Sequence, residues 1–189
     1  MKKQTKYNNI QMFLIIIIVI YCVNGFSRER YHKFYPTINV FPNNYTEVKL
    51  VEKFVSEKSM EMDNFIMKTD KSVSYAFEEI VPETINELQA IESEAVPVVL
   101  FFKLLFNRAR PKQINKDLNV YPSISAATPA YPSGHTCQAY YLAKKLTEKY
   151  PEKREKLYEL AEKCGRARIY GGLHYPSDHK FSKLLVKII

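Results

Sequence analysis

Cysteine and glycine are scarce in this chain of 189 residues, which contains three Cys and five Gly. Three cysteines are too few for a small protein built on disulfides. Five glycines with ten prolines exclude collagen and low-complexity repeats, and no repeat with a period of about 20–50 residues indicates a solenoid. With 46% hydrophobic and 25% charged residues, the composition is that of one ordinary globular domain.

A concentrated run of basic residues is also lacking. The 28 Lys and Arg against 20 Asp and Glu give a formal charge of +8, and without the three lysines of the first 25 residues the charge is +5. Because the remaining lysines are scattered and do not interleave with aromatic residues, we expect no nucleic-acid partner. The positive excess still favours an anionic small-molecule substrate.

Long apolar runs are absent except near the N-terminus, where residues 12–23 (MFLIIIIVIYCV) follow Lys2, Lys3 and Lys6. A membrane-spanning helix needs about 20 apolar residues, whereas about 10–14 fit the core of a signal peptide. Two interpretations stay open: residues 1–25 are a signal peptide cleaved before Phe26, or residues 10–26 are an uncleaved signal-anchor that provides membrane association. Both predict an exported domain, either secreted to a periplasmic or luminal type of compartment or anchored to a membrane by one helix.

The rest of the chain is predicted to be all-α, since few runs alternate with a period of two. Residues 26–45 form an irregular lead-in, and residues 46–189 form one compact helical domain. Within it, residues 98–110 predict an apolar helix that Pro111 stops, and residues 111–132 form a long loop of the kind that usually has a function. Ser133 is a predicted N-cap for a helix that reaches about Tyr150. Cys137 and Cys164 either pair in an oxidising compartment or are two small buried side chains.

Two segments favour binding of an anion. In residues 103–111 (KLLFNRARP), Lys103 and Arg110 are seven positions apart, so a continuous helix would place both cations on one face of an apolar stretch. Buried like charges are costly unless an anion neutralises them, although both side chains could also extend to solvent. In residues 131–136 (YPSGHT), Ser133 and Gly134 precede a helix and offer a hydroxyl and free backbone N–H groups to a phosphate. His135 stands beside them as a candidate proton donor.

A third segment, residues 168–178 (RIYGGLHYPSD), combines Arg168, His174 and Asp178. A carboxylate four residues after a histidine can fix the imidazole tautomer and leave the other ring nitrogen free as a nucleophile or base. His135, His174 and Asp178 could also be zinc ligands. Three nearby cations argue against a metal and in favour of an oxyanion.

In this order, Lys-x6-Arg-Pro, Pro-Ser-Gly-His and Arg-x5-His-x3-Asp resemble the signature of the type 2 phosphatidic acid phosphatase superfamily. That superfamily includes class A acid phosphatases, lipid phosphatases and vanadium-dependent haloperoxidases. The resemblance spans residues 103–178. It implies a helical phosphatase domain that needs no metal or other cofactor and that vanadate inhibits.

The resemblance also implies a role for each matching residue. His174 would attack phosphorus to form a phosphohistidine, Asp178 would orient His174, and His135 would protonate the leaving alcohol and then activate water. The remaining positions would hold the phosphate oxygens: Lys103, Arg110, Ser133, Gly134 and Arg168. One departure is Ala167, where the family commonly has Ser.

Four functions follow as alternatives. A soluble, acid phosphatase-like phosphomonoesterase is the first, and a membrane-associated phosphatase acting on lipid or isoprenoid phosphates is the second. A haloperoxidase and a non-catalytic anion-binding protein rank below these two, because haloperoxidases are generally larger and the catalytic set is complete here.

Overall fold

In the computed structural model of the chain, the residues described are 12, 14, 15, 30–33, 35 and 37–189. Apart from three isolated positions, the segment predicted as a signal peptide or anchor lies outside the described residues, so its cleavage stays a prediction. Among the helices that are described, none has the length and apolar character needed to cross a bilayer.

The described part of the chain is helical and contains no strand beyond an isolated bridge between Arg30 and Arg108. The predicted all-α class is therefore confirmed. In chain order the α-helices are α1 (Asn44–Ser56), α2 (Met60–Thr69), α3 (Ile85–Glu94), α4 (Val96–Phe106), α5 (Pro111–Ile114), α6 (Gly134–Lys149), α7 (Arg154–Tyr170) and α8 (Pro176–Leu185). Short 3-10 helices cover Val73–Ala76, Ile124–Ala126 and Pro151–Lys153.

Side-chain caps define where several helices begin. Ser133 is the N-cap of α6, as predicted, and its hydroxyl accepts from the backbone N–H of Thr136. Thr84 and Glu87 form a reciprocal capping box at the start of α3. Such caps pair backbone N–H groups that the first helical turn leaves without partners. The start of α6 is thus fixed locally, which matters because His135 lies in its first turn.

The prediction of one helix over residues 98–110 is wrong at its C-terminal end. Helix α4 stops at Phe106, and Asn107 adopts a left-handed conformation with φ 45°. The Asn107 side-chain amide donates to the backbone carbonyls of His32 and Tyr35, 3.0 Å away in each case. Asparagine tolerates left-handed geometry better than most residues, so this contact with the N-terminal lead-in ends the helix at Phe106, four residues before Arg110.

The core is centred on α6, which packs most extensively against α7. Leu142 and Leu146 of α6 are buried with Leu157 and Ala161 of α7 in the largest apolar cluster. Burying side chains of this size stabilises a fold by about 1.5–3 kcal/mol each. This packing fixes the N-terminal end of α6, and with it the site described below, against the rest of the domain.

The two cysteines of the domain are free and buried, and they belong to different apolar clusters. Cys164 packs among residues of α6 and α7, whereas Cys137 packs against α4 and α8. The structure therefore has them as two small buried side chains, which is one of the two alternatives left open by the sequence.

Candidate active site

A pocket of about 220 Å³ at the N-terminal end of α6 brings the three sequence motifs together. Its lining includes five of the predicted site residues, namely Lys103, Arg110, Gly134, His135 and His174. The Lys103 side chain lies close to the Gly134 backbone, because a Cβ atom added to Gly134 would be 3.8 Å from the Cε atom of Lys103. Segments far apart in the chain thus converge on one cavity.

Lys103 and Arg110 reach this pocket by a route that differs from the predicted one. Lys103 projects from the last turn of α4, while Arg110 lies beyond the turn at Asn107 in extended backbone. The Arg110 guanidinium donates to the carbonyls of Thr128 and Leu173, both at 2.8 Å. The predicted proximity of the two cations is right, but a shared helix face is not its cause.

His174 is held by a partner at each ring nitrogen. Its Nδ1 lies 3.0 Å from Oδ2 of Asp178, and its Nε2 lies 2.9 Å from a guanidinium nitrogen of Arg110. Because a guanidinium only donates hydrogen bonds, Nε2 is the acceptor and the ring proton resides on Nδ1, where Asp178 accepts it. The lone pair of Nε2 is therefore directed towards the cationic side of the pocket.

Asp178 is in turn fixed by Arg108, a fully buried residue. One Arg108 nitrogen donates to Asp178 Oδ1 at 2.6 Å, and another donates to Glu47 Oε2 at 2.7 Å. The Arg108 guanidinium also lies over the ring of Tyr175, 3.9 Å from its centroid. This network joins three parts of the chain: α1, the segment that follows α4, and helix α8. It therefore holds in place the carboxylate that orients His174.

His135 is oriented by the backbone of Asp70. Its Nε2 lies 2.9 Å from the Asp70 carbonyl oxygen. A carbonyl only accepts, so Nε2 carries the proton and Nδ1 is the nitrogen that can exchange a proton with a bound ligand. The Asp70 carboxylate binds Arg168 at 2.7 Å, so one residue contacts both His135 and Arg168.

The remaining three predicted residues lie behind the pocket wall rather than on it. Asp178 contacts His174 from behind, and Ser133 is buried with its hydroxyl accepting from Thr136. Arg168 is buried, and its hydrogen bonds to Ser125 connect it to a residue of the pocket lining. The Arg168 Nε–H is buried without a hydrogen-bond partner among the described residues, which is costly unless a ligand or water accepts from it.

Burial and neighbouring cations set the protonation of both histidines. Desolvation by burial, followed by the charges of Arg110 and Lys103, holds the pKa of His174 well below its ordinary value. Burial and the charge of Arg168 lower the pKa of His135 in the same direction. Both effects disfavour the imidazolium form. Without a bound anion, the two imidazoles are therefore neutral at neutral pH.

The pocket cations are costly to hold together without an anion. Burial, together with the charge of Arg110, lowers the pKa of Lys103 well below its ordinary value, and burial lowers the pKa of Arg110 to about 10. Lys103 donates to the Pro129 carbonyl at 2.5 Å, but this contact does not neutralise its charge. A phosphate dianion would offset the repulsion between these groups.

The alternative of a zinc site does not fit this arrangement. Nε2 of His174 faces the Arg110 guanidinium at 2.9 Å, and Asp178 is already paired with Arg108. A metal ion at Nε2 would therefore be repelled by a cation in direct contact. Among the described residues, no group of three or more His, Cys, Asp or Glu is arranged to hold a metal.

Three residues that matter to this geometry were missed in the sequence. Arg108 lies within the first motif but was not singled out, although a third basic residue in an apolar stretch is a usable signal. Asp70, directly after α2, contacts Arg168, and Glu47 of α1 contacts Arg108. No fixed spacing links them to the motifs, because they meet only through tertiary packing.

Comparisons with known proteins agree with this description. A sequence profile of the PAP2 superfamily, the type 2 phosphatidic acid phosphatases, matches residues 88–185, just over half of the chain. The crystal structure of LpxE from Aquifex aeolicus is similar in fold, with a TM-score of 0.55 and 22% sequence identity over 80% of this chain and 94% of that one. No curated protein matches the chain. On the profile match, which covers the convergent motifs, the chain belongs to the PAP2 superfamily.

Proposed function

We propose that the chain hydrolyses phosphate monoesters through a phosphohistidine intermediate and without a metal. Membership of the PAP2 superfamily indicates a phosphatase, that is, a phosphoric monoester hydrolase. The single observation that carries the mechanism is the His174 lone pair on Nε2, aimed at a pocket lined with Lys103 and Arg110. Phosphoryl transfer depends mainly on positioning and charge stabilisation, and these residues supply both.

In the first step, Nε2 of His174 attacks phosphorus and the bond from phosphorus to the leaving oxygen breaks. Throughout this step, Asp178 accepts a hydrogen bond from the Nδ1–H of His174. Its negative charge stabilises the positive charge that develops on the imidazole ring. Arg110 exchanges its contact with Nε2 for a phosphate oxygen. Lys103 and the backbone at Gly134 hold the other oxygens, and Ser133 and Arg168 support them from behind the wall.

His135 transfers the protons that the two steps require. The leaving oxygen takes a proton from Nδ1 of His135. A water molecule then attacks phosphorus and gives its proton to the same nitrogen, while the bond from phosphorus to Nε2 of His174 breaks and inorganic phosphate is released. Since burial lowers the pKa of free His135, the ring must gain its proton when the substrate binds. A phosphate dianion beside the imidazole favours the charged form and so supplies this shift.

A lipid or isoprenoid phosphate is the second candidate substrate class. One wall of the pocket is apolar and consists of Val96, Val99 and Leu100 of α4. Such a wall accommodates an acyl or prenyl chain better than a sugar or nucleoside. The chemistry at phosphorus is the same for both substrate classes.

Hydrolysis of p-nitrophenyl phosphate by the purified full chain tests the function. We expect turnover that EDTA leaves unchanged and that vanadate inhibits, because vanadate occupies the same anion pocket. Loss of activity with EDTA and its recovery with zinc would overturn the metal-independent mechanism. Oxidation of bromide by peroxide in the presence of vanadate would instead indicate a haloperoxidase. Vanadate binding without any turnover would indicate an anion-binding protein.

The pH dependence offers a separate prediction. The mechanism needs neutral His174 and ionised Asp178; the pKa of His174 is lowered, and burial raises the pKa of Asp178 to about 6 while Arg108 opposes the rise. Both requirements are met above about pH 6 and fail as the pH falls further. We therefore expect the acidic limb of kcat/KM to be centred at or below about pH 6.

This limb is measured with two substrates whose own phosphate pKa values differ, p-nitrophenyl phosphate and an alkyl phosphate. If the midpoint of the acidic limb differs between the two substrates, it reports titration of the substrate phosphate. Only a midpoint that both substrates share is assigned to the protein. A common limb centred above pH 7 would contradict a neutral buried His174.

A further inference from the structure

Helix α4 exposes an apolar face beside the pocket. Ten of its eleven residues are apolar, and a helix that is apolar on all sides is normally buried. Here, however, Leu100, Phe101 and Leu104 are 41%, 62% and 64% exposed. Spacings of three and four residues place these side chains on one face of the helix. Leu100 also belongs to the pocket lining, so the exposed face is continuous with the pocket wall.

The C-terminal end of α8 packs against α4 and carries further exposed apolar side chains. Phe181 contacts Phe102 of α4, with 6.1 Å between ring centroids. Leu184, three residues further along α8, is 52% exposed, and Ile188 just beyond the helix is 80% exposed. We call the exposed side chains of Leu100, Phe101, Leu104, Leu184 and Ile188 the apolar surface. An exposed group of this kind usually marks an interaction site.

A basic pocket lies at the C-terminal end of α8, where Lys183 and Lys187 directly precede the exposed Leu184 and Ile188. It has a volume of about 360 Å³ and is lined by four cations, Lys144, Arg154, Lys183 and Lys187, together with Tyr140, Tyr158 and Val186. The carboxylate paired with Lys183 there is Glu162. Val186 also packs in the same cluster as Val99 of α4, which joins the two features. The surface therefore combines exposed apolar side chains with a flanking positive charge.

A described residue of the lead-in contacts the C-terminal end of the same helix, α4. The backbone N–H of Tyr31 donates to the carbonyl of Asn107, directly after α4, at 2.9 Å. The apolar run of residues 12–23 therefore precedes a point that is fixed at the C-terminal end of α4.

From these observations we propose that the apolar surface docks onto an anionic lipid bilayer, with the cations of the basic pocket contacting lipid headgroups. Side chains such as Phe and Leu on a face flanked by Lys and Arg are typical of interfacial binding. Each basic residue near an anionic membrane strengthens the attraction to the lipid headgroups. Docking in this orientation places the mouth of the pocket at the bilayer surface. The proposal concerns binding and does not depend on the phosphatase mechanism.

The chain contains no tryptophan, so a single introduced tryptophan reports on its own surroundings. The test is Phe101→Trp in the full chain, with Met67→Trp as the matched control. Met67 is similarly exposed, at 65%, and its helix α2 contacts neither α4 nor α8. Phosphatidylcholine vesicles with and without phosphatidylserine are added, and brominated acyl chains serve as the quencher.

We expect anionic vesicles to shift the emission of Trp at position 101 to shorter wavelength and brominated lipids to quench it, whereas Trp at position 67 stays unchanged. The effect should weaken at high salt, because screening reduces the attraction of the basic pocket. A Phe101→Ser/Leu104→Ser variant should lose the contact of the apolar surface with the membrane. It should still hydrolyse p-nitrophenyl phosphate normally, since neither residue lines the catalytic pocket.

Three results would overturn the proposal. If the emission of Trp at position 101 stays that of a water-exposed ring in the presence of anionic vesicles, the surface does not dock onto lipid. If that emission is already at short wavelength without vesicles, another part of the protein, such as the N-terminal apolar run or a second copy of the chain, covers the surface. Vesicle binding carried by the N-terminal run alone would leave both reporter positions unquenched and so also counts against docking.

Discussion

Replacing His174 with alanine should lower kcat for p-nitrophenyl phosphate by about 10⁴-fold or more, as removal of a nucleophile does in other enzymes that form covalent intermediates. The reason is that Nε2 of His174 carries the lone pair that faces the cationic pocket. The guanidinium of Arg110, which contacts Nε2 at 2.9 Å, has no lone pair that could replace it as a nucleophile. Since Lys103 and Arg110 remain, vanadate should still bind. The measurement is steady-state hydrolysis together with vanadate binding to the variant.

The control for this variant is His32→Ala, which removes an imidazole outside the pocket. His32 contacts Asn107 through its backbone, and that contact survives the substitution. We expect nearly normal turnover from the control. Rapid quenching of the unmodified protein with radiolabelled substrate should also trap an acid-labile phosphoryl group that the His174→Ala variant lacks. Hydrolysis by His174→Ala at more than a hundredth of the original rate would exclude His174 as the nucleophile.

Arg108→Met should lower the free energy of unfolding by about 3–5 kcal/mol, the usual effect of removing one partner of a buried ion pair. The substitution leaves the carboxylates of Asp178 and Glu47 without the cation that contacts them at 2.6 and 2.7 Å. All three side chains are almost completely inaccessible to solvent. Urea-induced unfolding of the full chain measures the loss.

Arg166→Met is the matched control, because Arg166 is an exposed arginine of α7 that stacks near Tyr170. Surface substitutions of this kind usually change stability by less than about 0.5 kcal/mol. Arg108→Lys separates charge from geometry: it keeps the charge but cannot bridge both carboxylates as the guanidinium does. Equal stability of Arg108→Met and Arg166→Met would show that the buried network contributes little.

Arg108 also connects stability to the chemistry. Its charge opposes the upward shift that burial imposes on the pKa of Asp178. A folded Arg108 variant should therefore protonate Asp178 at higher pH and lose activity earlier on the acidic side. The stability measurement and the pH profile thus address the same network by independent routes.

Much of the site was predictable because its motifs are local. The spacing between His174 and Asp178 fits a carboxylate that meets the imidazole across a turn, and their contact at 3.0 Å follows that spacing. The cap at Ser133 is likewise a contact within four residues, so the start of α6 could be predicted. Hydrogen bonds of this kind form within one turn of the chain, so the local sequence is enough to predict them.

The end of α4 could not be predicted in the same way. Intrinsic helix propensity continues through residues 108–110, and Pro111 is the first residue that must stop a helix. The chain departs earlier because Asn107 gains hydrogen bonds to His32 and Tyr35, which lie more than 70 positions away. Such long-range partners leave no periodic trace in the sequence.

The sequence by itself determined the family, the helical class and the residue types that line the pocket, since these rest on motifs with fixed internal spacing. Tertiary structure alone decided that Arg110 enters the pocket from extended backbone, that Arg108 holds Asp178, and that Asp70 contacts both His135 and Arg168. It also decided which face of the apolar helix α4 stays uncovered. The physical reason is that burial and ion pairing depend on which distant segments pack together, and spacing along the chain carries no record of that packing.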